Sequence, residues 1–215
     1  IKEYYMRKSP ELARFIADIT GDGHLQCQGH RGNIQFTSKH LEFIHQFIKR
    51  AKKLFKVNPK IMRIKNDGKA FTLRYRTYFS SLKIAKELVK YGTPSGNKTN
   101  KIFFVPRWIL KGDKKLKRAY LRGLFTCEGL IFFTKGKYKP RWRIEIEQYK
   151  NEKLRAYGKK YMNEIRQMLE GFDVKCSPVR YGKRQKRKDG TFSIAVKFDI
   201  EKSSFHKFKK VGFDD

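Results

Sequence analysis

The 215-residue sequence predicts an α+β fold with two similar halves, each ordered helix, two strands, helix, two strands, helix. The first observation is an internal repeat, because ELARFIADITGDGHL from Glu11 is similar to KRAYLRGLFTCEGLIFF from Lys117. Aligning Asp22 with Glu128 places a glycine after each acid and sets an offset of 106 residues. The second observation is an Asp-Gly pair between two alternating segments in each half, which is typical of a β-hairpin. The third is a Ser-Ser pair that opens a short helical pattern at the end of each half.

The boundaries of the elements follow from capping residues. Ser9 and Pro10 predict a helix N-cap followed by the first helical residue, and this helix is expected to run to about Asp22. Asp113 is the candidate cap of the equivalent helix in the second half. The segment between the halves begins with flexible residues but has an apolar middle, so we expect it to pack along one compact structural unit. The division is an N-terminal half, a connecting segment and a C-terminal half at 8–92, 93–113 and 114–215.

Alternation along the strands gives each sheet two faces. In NIQFTS, Ile34 and Phe36 are expected to face the core, while Gln35 and Thr37 point outward. The other expected core-facing strand residues are Phe71, Leu73, Tyr75, Ile144, Ile146, Ile194, Val196 and Phe198. The outward positions are Ala195 and a larger set of polar, mostly basic residues, as expected of a surface that lies against DNA. The alternative is a merely solvated face, which predicts mixed charges.

The candidate DNA-binding residues are the polar and charged side chains of these outward positions and of the hairpins. Arg, Gln, Thr and Glu are residue types that read base edges in the major groove. The set is Gln26, Gln28, Gln35, Thr37, Ser38, Arg63, Lys65, Thr72, Arg74, Arg76, Lys135, Lys137, Arg141, Arg143, Glu145, Glu147, Arg180, Lys183, Arg184 and Lys197.

The net charge supports a polyanionic partner. Fifty-two Lys and Arg against 20 Asp and Glu give a formal charge of +32. Surface ion-pair networks of heat-adapted proteins need both signs, so such a one-sided balance favours nucleic acid. The apolar runs are too short to span a bilayer, and the partner prediction is double-stranded DNA with no membrane. The three widely spaced cysteines indicate a reduced, intracellular protein of the cytoplasm or nucleoid, with an organelle as the alternative.

Small residues predict that the two acid-bearing helices pack against each other. Ala17 and Gly21 lie on one line of the first helix, as Gly123 and Cys127 do on the second, and small side chains let helix backbones approach closely. Such packing brings Asp22 and Glu128 together at the negative ends of the helix dipoles, where divalent cations would relieve the repulsion. The alternative is two unrelated surface acids.

The expected cofactor is Mg²⁺ or Mn²⁺. Carboxylates, backbone carbonyls and phosphate oxygens suit such an ion, and paired metal-bound acids are typical of phosphodiester hydrolysis. The candidate metal ligands are the two acids and the residues before them, Asp22, Glu128, Gly21 and Cys127.

The stretches FIADITGDG (15–23) and LRGLFTCEG (121–129) resemble the two signature helices of the single-chain LAGLIDADG homing endonucleases. The second is a close match, whereas the first carries polar Asp18 and Thr20 where apolar or acidic residues are usual. The resemblance covers nearly the whole chain. It implies a pseudo-twofold saddle of antiparallel sheets on DNA, with the two motif helices packed at the centre.

The same resemblance implies a monomeric, metal-dependent endonuclease that needs no protein partner and cuts both DNA strands at a long asymmetric site. The two acids would bind the catalytic metals, and the cuts would leave short 3′ overhangs. It also implies polar or basic residues around the acids: Gln148 matches the family's glutamine, and Ser38 holds the equivalent place in the first half. The catalytic candidates are Asp22, Glu128, Gln148, Lys39, Lys150, Arg74 and Lys197. Each of these lysines and arginines has the alternative role of a phosphate contact.

Other patterns carry less weight. His24, Cys27 and His30 lack a fourth zinc ligand at finger spacing, and GTPSGNKT (92–99) lacks the glycine spacing of a phosphate loop. Because the residues of protein splicing are missing at both ends, we expect an endonuclease module alone or a free-standing, intron-encoded protein. Two further functions stay open on this fold, a non-cleaving DNA-binding regulator and an RNA maturase.

Overall fold

Two four-stranded antiparallel sheets, one from each half, form the framework of the structure, a computed structural model that describes residues 6–64, 73–135 and 140–212. The first half consists of α1 (Pro10–Thr20), β1 (Gly23–Gln28), β2 (Arg31–Ser38), α2 (Leu41–Phe55), β3 (Lys60–Ile64), β4 (Arg74–Ser80) and α3 (Leu82–Lys90). The second consists of α5 (Lys114–Glu128), β5 (Gly129–Thr134), β6 (Arg141–Asn151), α6 (Arg155–Glu170), β7 (Arg180–Lys186), β8 (Phe192–Ile200) and α7 (Phe205–Gly212). The predicted α+β class and the repeated order of elements are confirmed.

The segment between the halves carries a short 3₁₀ turn (Lys98–Asn100) and the single-turn helix α4 (Arg107–Leu110). Its apolar residues Phe103, Val105 and Ile109 are buried, so it packs along the molecule as expected. The Phe103 ring lies edge-on to Tyr161 of α6, with the centroids 5.0 Å apart. None of the helices in the described part of the chain is both long and apolar enough to cross a membrane.

Three of the four predicted helix N-caps are present. Ser9 accepts a hydrogen bond from the Leu12 amide at 3.2 Å, and Asp113 accepts one from the Leu116 amide at 2.9 Å. Ser81 caps α3 in the same way. The second Ser-Ser pair differs, because its hydroxyl at Ser204 accepts from the Lys175 amide and so ties α7 to the loop before β7.

Both sheets place an acid at the junction of a helix and the first strand. The strand orders are β1-β2-β4-β3 and β5-β6-β8-β7. Gly23, directly after Asp22, pairs with Phe36 on β2. Gly129, directly after Glu128, pairs with Ile146 on β6. The two acids therefore occupy equivalent positions, each beside a central strand.

Most of the predicted strand faces are confirmed by burial. Every predicted core-facing residue of β2, β6 and β8 is buried. Leu73 is an exception at 46% exposure, because it precedes the first residue of β4. Ala195 and Glu145, predicted to point outward, are also buried because neighbouring side chains cover them. Phe71 and the first Asp-Gly pair lie outside the described residues, whereas Gly190 of the second pair closes the β7–β8 hairpin with φ of +80°.

The packing of α1 against α5 is the contact that the small residues predict. A Cβ added to Gly21 would lie 2.3 Å from Cys127 Cβ, and one added to Gly123 would lie 2.6 Å from Ala17 Cβ. Carbon atoms do not approach this closely without displacement, so both glycines are required by the proximity of the helices.

Candidate functional site

Asp22 and Glu128 lie at the ends of α1 and α5, where the close helix packing brings the two chain segments together. The Gly21 amide closes α1 on the Ala17 carbonyl at 2.9 Å, and Asp22 follows immediately. Glu128 is the last residue of α5. The two carboxylates are near enough that the Asp22 charge raises the pKa of Glu128. The two acids therefore lie close together, and their shared metal-binding role stays a prediction.

The surroundings of both acids favour their protonated forms. Burial is the main cause that raises the pKa of Asp22 to about 6, and the nearby Asp18 carboxylate adds to it. Burial likewise raises the pKa of Glu128 to about 7, with contributions from Asp22 and Glu147. A cation placed between these carboxylates would therefore relieve a real electrostatic cost.

Lys98 is a central residue of this site that the sequence did not predict. Its ammonium donates to the carbonyls of Ile19, Thr20, Gly21 and Gly23 around the C-terminus of α1, at 3.0 Å for Ile19, 2.8 Å for Thr20 and 2.9 Å for Gly23. It thereby neutralises carbonyls that the helix itself leaves without partners. Burial lowers the pKa of Lys98, while Glu128, Cys127 and Asp22 oppose that shift.

Lys150 of the second half holds the turn that carries Lys98. Its side chain is 1% exposed and donates to the carbonyls of Lys98 and Lys101, both at 2.8 Å. The ammonium also lies 3.5 Å from the centroid of the Phe103 ring. Burial lowers the pKa of Lys150 to about 7, and the Lys98 cation contributes to the shift. This predicted catalytic candidate therefore contacts the connecting segment, on the core-facing side of β6.

A cleft of about 540 Å³ opens beside Asp22. Several predicted residues line it together, namely Asp22, Thr37, Ser38, Lys39, Arg74 and Cys127. Arg74 is close enough to lower the pKa of Asp22, opposing the effect of burial. The cleft thus combines one acid with two basic side chains, Lys39 and Arg74, that are exposed to solvent.

The polar residues of the first motif have internal partners. Asp18 is 1% exposed and accepts hydrogen bonds from Arg50 of α2, with Oδ2 at 3.0 Å from Nε. Arg14 lies one turn earlier on α1, and its Nε is 3.4 Å from Asp18 Oδ1. The Thr20 hydroxyl donates to the Ile16 carbonyl at 2.7 Å. These contacts explain how the helix accommodates polar residues at positions that are usually apolar.

Gln148 and Ser38 occupy matching places, each two residues beyond the strand partner of the glycine that follows an acid. Both are buried, and the Gln148 Oε1 atom has no hydrogen-bond partner in the described part of the chain. The Ser38 hydroxyl accepts from the His40 amide at 3.1 Å. Lys197, the remaining catalytic candidate, lies on the outer face of the second sheet and contacts Glu145 and Glu147.

The outer faces of the two sheets differ in charge. None of the four strands of the first sheet, as described, contains an acidic residue. Its outer face instead carries the predicted side chains Gln26, Gln28, Gln35, Thr37, Arg74 and Arg76. On the second sheet, Arg143, Arg180 and Lys197 are engaged by acidic side chains of the same face.

Other predicted DNA-binding residues are placed elsewhere. Arg63 pairs with Tyr75, on the opposite face from Arg76. Arg184 pairs with Ile194, and its guanidinium binds Glu152 through two hydrogen bonds of 2.8 and 2.9 Å. Lys135 and Arg141 remain exposed at the ends of β5 and β6, and Lys183 is exposed in the middle of β7. The residues outside the described ranges are Lys65, Thr72 and Lys137.

The donor set around the acids fits a hard divalent cation. It offers two carboxylates, which are oxygen ligands, and Mg²⁺ completes such a shell with water and phosphate oxygens. The carbonyl of Gly21, a predicted ligand, already accepts a hydrogen bond from Lys98. Burial raises the pKa of the Cys127 thiol well above its usual range, which keeps it protonated and unsuited to bind a metal. Across the described ranges, no three His, Cys, Asp or Glu side chains converge on one point.

A solved structure shows the same architecture over nearly the whole chain. The homing endonuclease I-WcaI, bound to its DNA recognition sequence, superposes with a TM-score of 0.60. The match covers 98% of this chain and 84% of that one at 15% identity. The chain has the LAGLIDADG homing endonuclease fold. No protein-family model matches the sequence.

The similar segments of the curated relatives lie within much longer proteins. The tRNA-splicing ligase RtcB of Pyrococcus furiosus is 31% identical over 77% of this chain, which spans 18% of that protein. The replication factor C small subunit of Methanocaldococcus jannaschii is 30% identical over 80% of this chain, which spans 9% of that protein. The glutamine–fructose-6-phosphate aminotransferase of the same organism is 23% identical over 95% of this chain and 16% of its own length. The chain spans less than a fifth of each.

Proposed function

We propose that the chain is a metal-dependent DNA endonuclease that makes double-strand breaks at a long, asymmetric site. The observation that carries this proposal is the pairing of Asp22 and Glu128 at the ends of two packed helices, beside a cleft with basic side chains. A pure binding protein gains nothing from two partly buried carboxylates that would face phosphates. The fold shared with a DNA-bound homing endonuclease supports double-stranded DNA as the partner.

The residues have separable roles in this proposal. Asp22 and Glu128 hold the divalent cations, each acid serving one DNA strand. The chemistry that a bound Mg²⁺ would supply is polarisation of the scissile phosphate and a lower pKa for an attacking water. Lys98 holds a fixed positive charge beside both acids, where it stabilises negative charge that develops on the phosphate. Lys39 and Arg74 contact backbone phosphates at the mouth of the cleft and orient them.

The remaining features extend the proposal. The protein acts as a monomer, because one chain supplies both acids, and its cuts leave short 3′ overhangs. The outer faces of the two sheets differ in sequence, so the two half-sites differ as well. The residues of these outer faces bind the duplex along its grooves.

The relatives favour a portable module over a domain of one particular enzyme. A tRNA-splicing ligase, a replication factor subunit and an aminotransferase share no activity by name, yet each contains a segment similar to this chain. We therefore assign the shared segment a function of its own. The ligase name alone favours RNA as an alternative partner, and a non-cleaving regulator of DNA is the other alternative.

The decisive experiment is cleavage of a randomised plasmid library with Mg²⁺, with an EDTA control. We expect a metal-dependent linear product from the wild-type protein and none from Asp22→Asn or Glu128→Gln, both of which should still bind duplex DNA. Glu170→Gln, which removes an acid on the surface of α6, is the matched control and should cut normally. Absence of any linear product, together with tighter binding of RNA than of duplex DNA, would contradict the nuclease assignment.

A further inference from the structure

The outer face of the second sheet carries a closed network of ion pairs centred on Glu145. The Glu145 side chain is 4% exposed and lies 2.9 Å from Arg180 and 3.1 Å from Lys197. Arg143 lies 3.4 Å from Glu145 Oε2, which is the oxygen that Arg180 also contacts. These partners come from all three adjacent strands, β6, β7 and β8.

Two further acids complete the network. Asp199 accepts from Arg143 at 2.6 Å and lies 2.7 Å from Arg180. Glu147 lies 3.3 Å from Lys197. Three cations are thus matched by three carboxylates, and the group is neutral overall. The first sheet has no such acids on its strands, although it occupies the equivalent place in the other half.

This arrangement has two physical consequences for a surface that faces DNA. A buried carboxylate that binds three cations fixes their side chains, so less conformational entropy is lost when they contact a base edge. The same negative charge cancels the attraction of the cations for phosphates, which are the main source of nonspecific binding. Base contacts are thereby favoured relative to phosphate contacts.

We propose that Glu145 is a specificity-determining residue that holds Arg143, Arg180 and Lys197 in fixed positions and suppresses their nonspecific contacts with phosphates. The second sheet then reads sequence, while the acid-free first sheet supplies most of the salt-dependent attraction. This inference rests on the proposed function, because it requires that the sheets bind duplex DNA.

The test uses Glu145→Gln, which keeps the shape of the side chain and removes its charge. Binding to a random-sequence duplex of about 30 base pairs, a length that exceeds two helical turns, is measured in EDTA at 50 to 200 mM salt. One additional phosphate contact makes the log–log salt slope steeper by about 0.9, which is about a threefold larger loss of affinity across this range. The variant should bind random duplex more tightly at low salt. Its preference for a target recovered from the plasmid library should fall.

Glu170→Gln is the matched control, because it removes the same charge from a surface ion pair with Arg166 on α6. Asp199→Asn is the second variant, since that side chain is more exposed than Glu145 and its loss disturbs the fold less. It should change the salt slope in the same direction. Melting curves establish that each variant is folded.

The outcomes separate the two proposals. If the wild-type protein shows no salt-dependent affinity for duplex DNA, the proposed function fails. If it binds, but the salt slopes and target preferences of Glu145→Gln and Asp199→Asn equal those of Glu170→Gln, the role of Glu145 is refuted. A purely structural role would weaken target and random duplex equally, and this result also overturns the proposal.

Discussion

Replacing Glu128 by glutamine should stabilise the protein at the same time as it removes cleavage. The surroundings raise the pKa of Glu128 from its ordinary 4.5 to about 7, so the folded state disfavours the ionised form. Between these pH values the folded protein holds a proton that the unfolded chain has released, and wild-type stability therefore falls as the pH rises through this window. Glutamine resembles the protonated acid and does not carry this cost.

The magnitude follows from the difference between the two pKa values. One pKa unit corresponds to about 1.4 kcal/mol, so Glu128→Gln should be more stable than the wild type by about 3 kcal/mol at pH 8. For a chain of this length, that difference raises the melting temperature by about 6–12 °C. At pH 4 the difference should vanish, because both states of the wild type are then protonated.

The assay is thermal or urea unfolding in EDTA at pH 4 and pH 8. Glu170→Gln is the control and should change stability by less than about 1 kcal/mol at either pH, as expected of an exposed ion pair. Addition of Mg²⁺ should stabilise the wild type but not Glu128→Gln. Equal or lower stability of Glu128→Gln at pH 8 would refute the argument that the site is strained by its own charge.

Two other predictions test the geometry around the acids, and a third tests the binding of DNA. Gly21→Ala forces a new methyl group against Cys127 and should lower the stability of the protein by about 1–3 kcal/mol in melting experiments. Gly171→Ala is the control and should be neutral, because its added Cβ meets only ordinary contacts. Equal melting temperatures for these two variants would contradict the close helix packing. Lys98→Met should abolish cleavage. It should also lower stability by about 1–3 kcal/mol, because it leaves carbonyls at the end of α1 without a donor. Full activity of this variant would exclude a role of Lys98 in cleavage. Wild-type affinity for duplex DNA should fall with a log–log salt slope of about −0.9 per phosphate neutralised, and a flat response would contradict binding through the basic sheet faces.

The repeat and the small residues were sufficient to predict how the two halves and their central helices are arranged. The offset between Asp22 and Glu128 identifies equivalent positions, and the small residues Gly123 and Cys127 indicate a helix contact from the sequence alone. Both signals can be recognised in the sequence, because one is an internal repeat and the other is a regular spacing of small residues along a helix. Alternation also predicted the buried positions of β2, β6 and β8, but it failed at Leu73, just outside β4, and it did not predict the burial of Ala195 and Glu145.

The contacts that the sequence did not reveal are those between distant segments. Lys98 follows a turn-rich stretch with no motif, and nothing in that stretch indicates that its ammonium reaches the end of α1. Alternation placed Glu145 on an outer face but could not show that three cations cover it. The polar residue Asp18 departs from the family pattern, and its partners are Arg50 of α2 and Arg14 on its own helix.

The position of Lys98 links the completion of the acid site to the order in which the chain folds. The lysine belongs to the connecting segment, its ammonium binds the end of α1 in the first half, and Lys150 of the second half holds its turn. A folding intermediate with only one half formed would therefore contain an acid without its neighbouring cation. We therefore expect the site to be complete only when both halves and the connecting segment are docked.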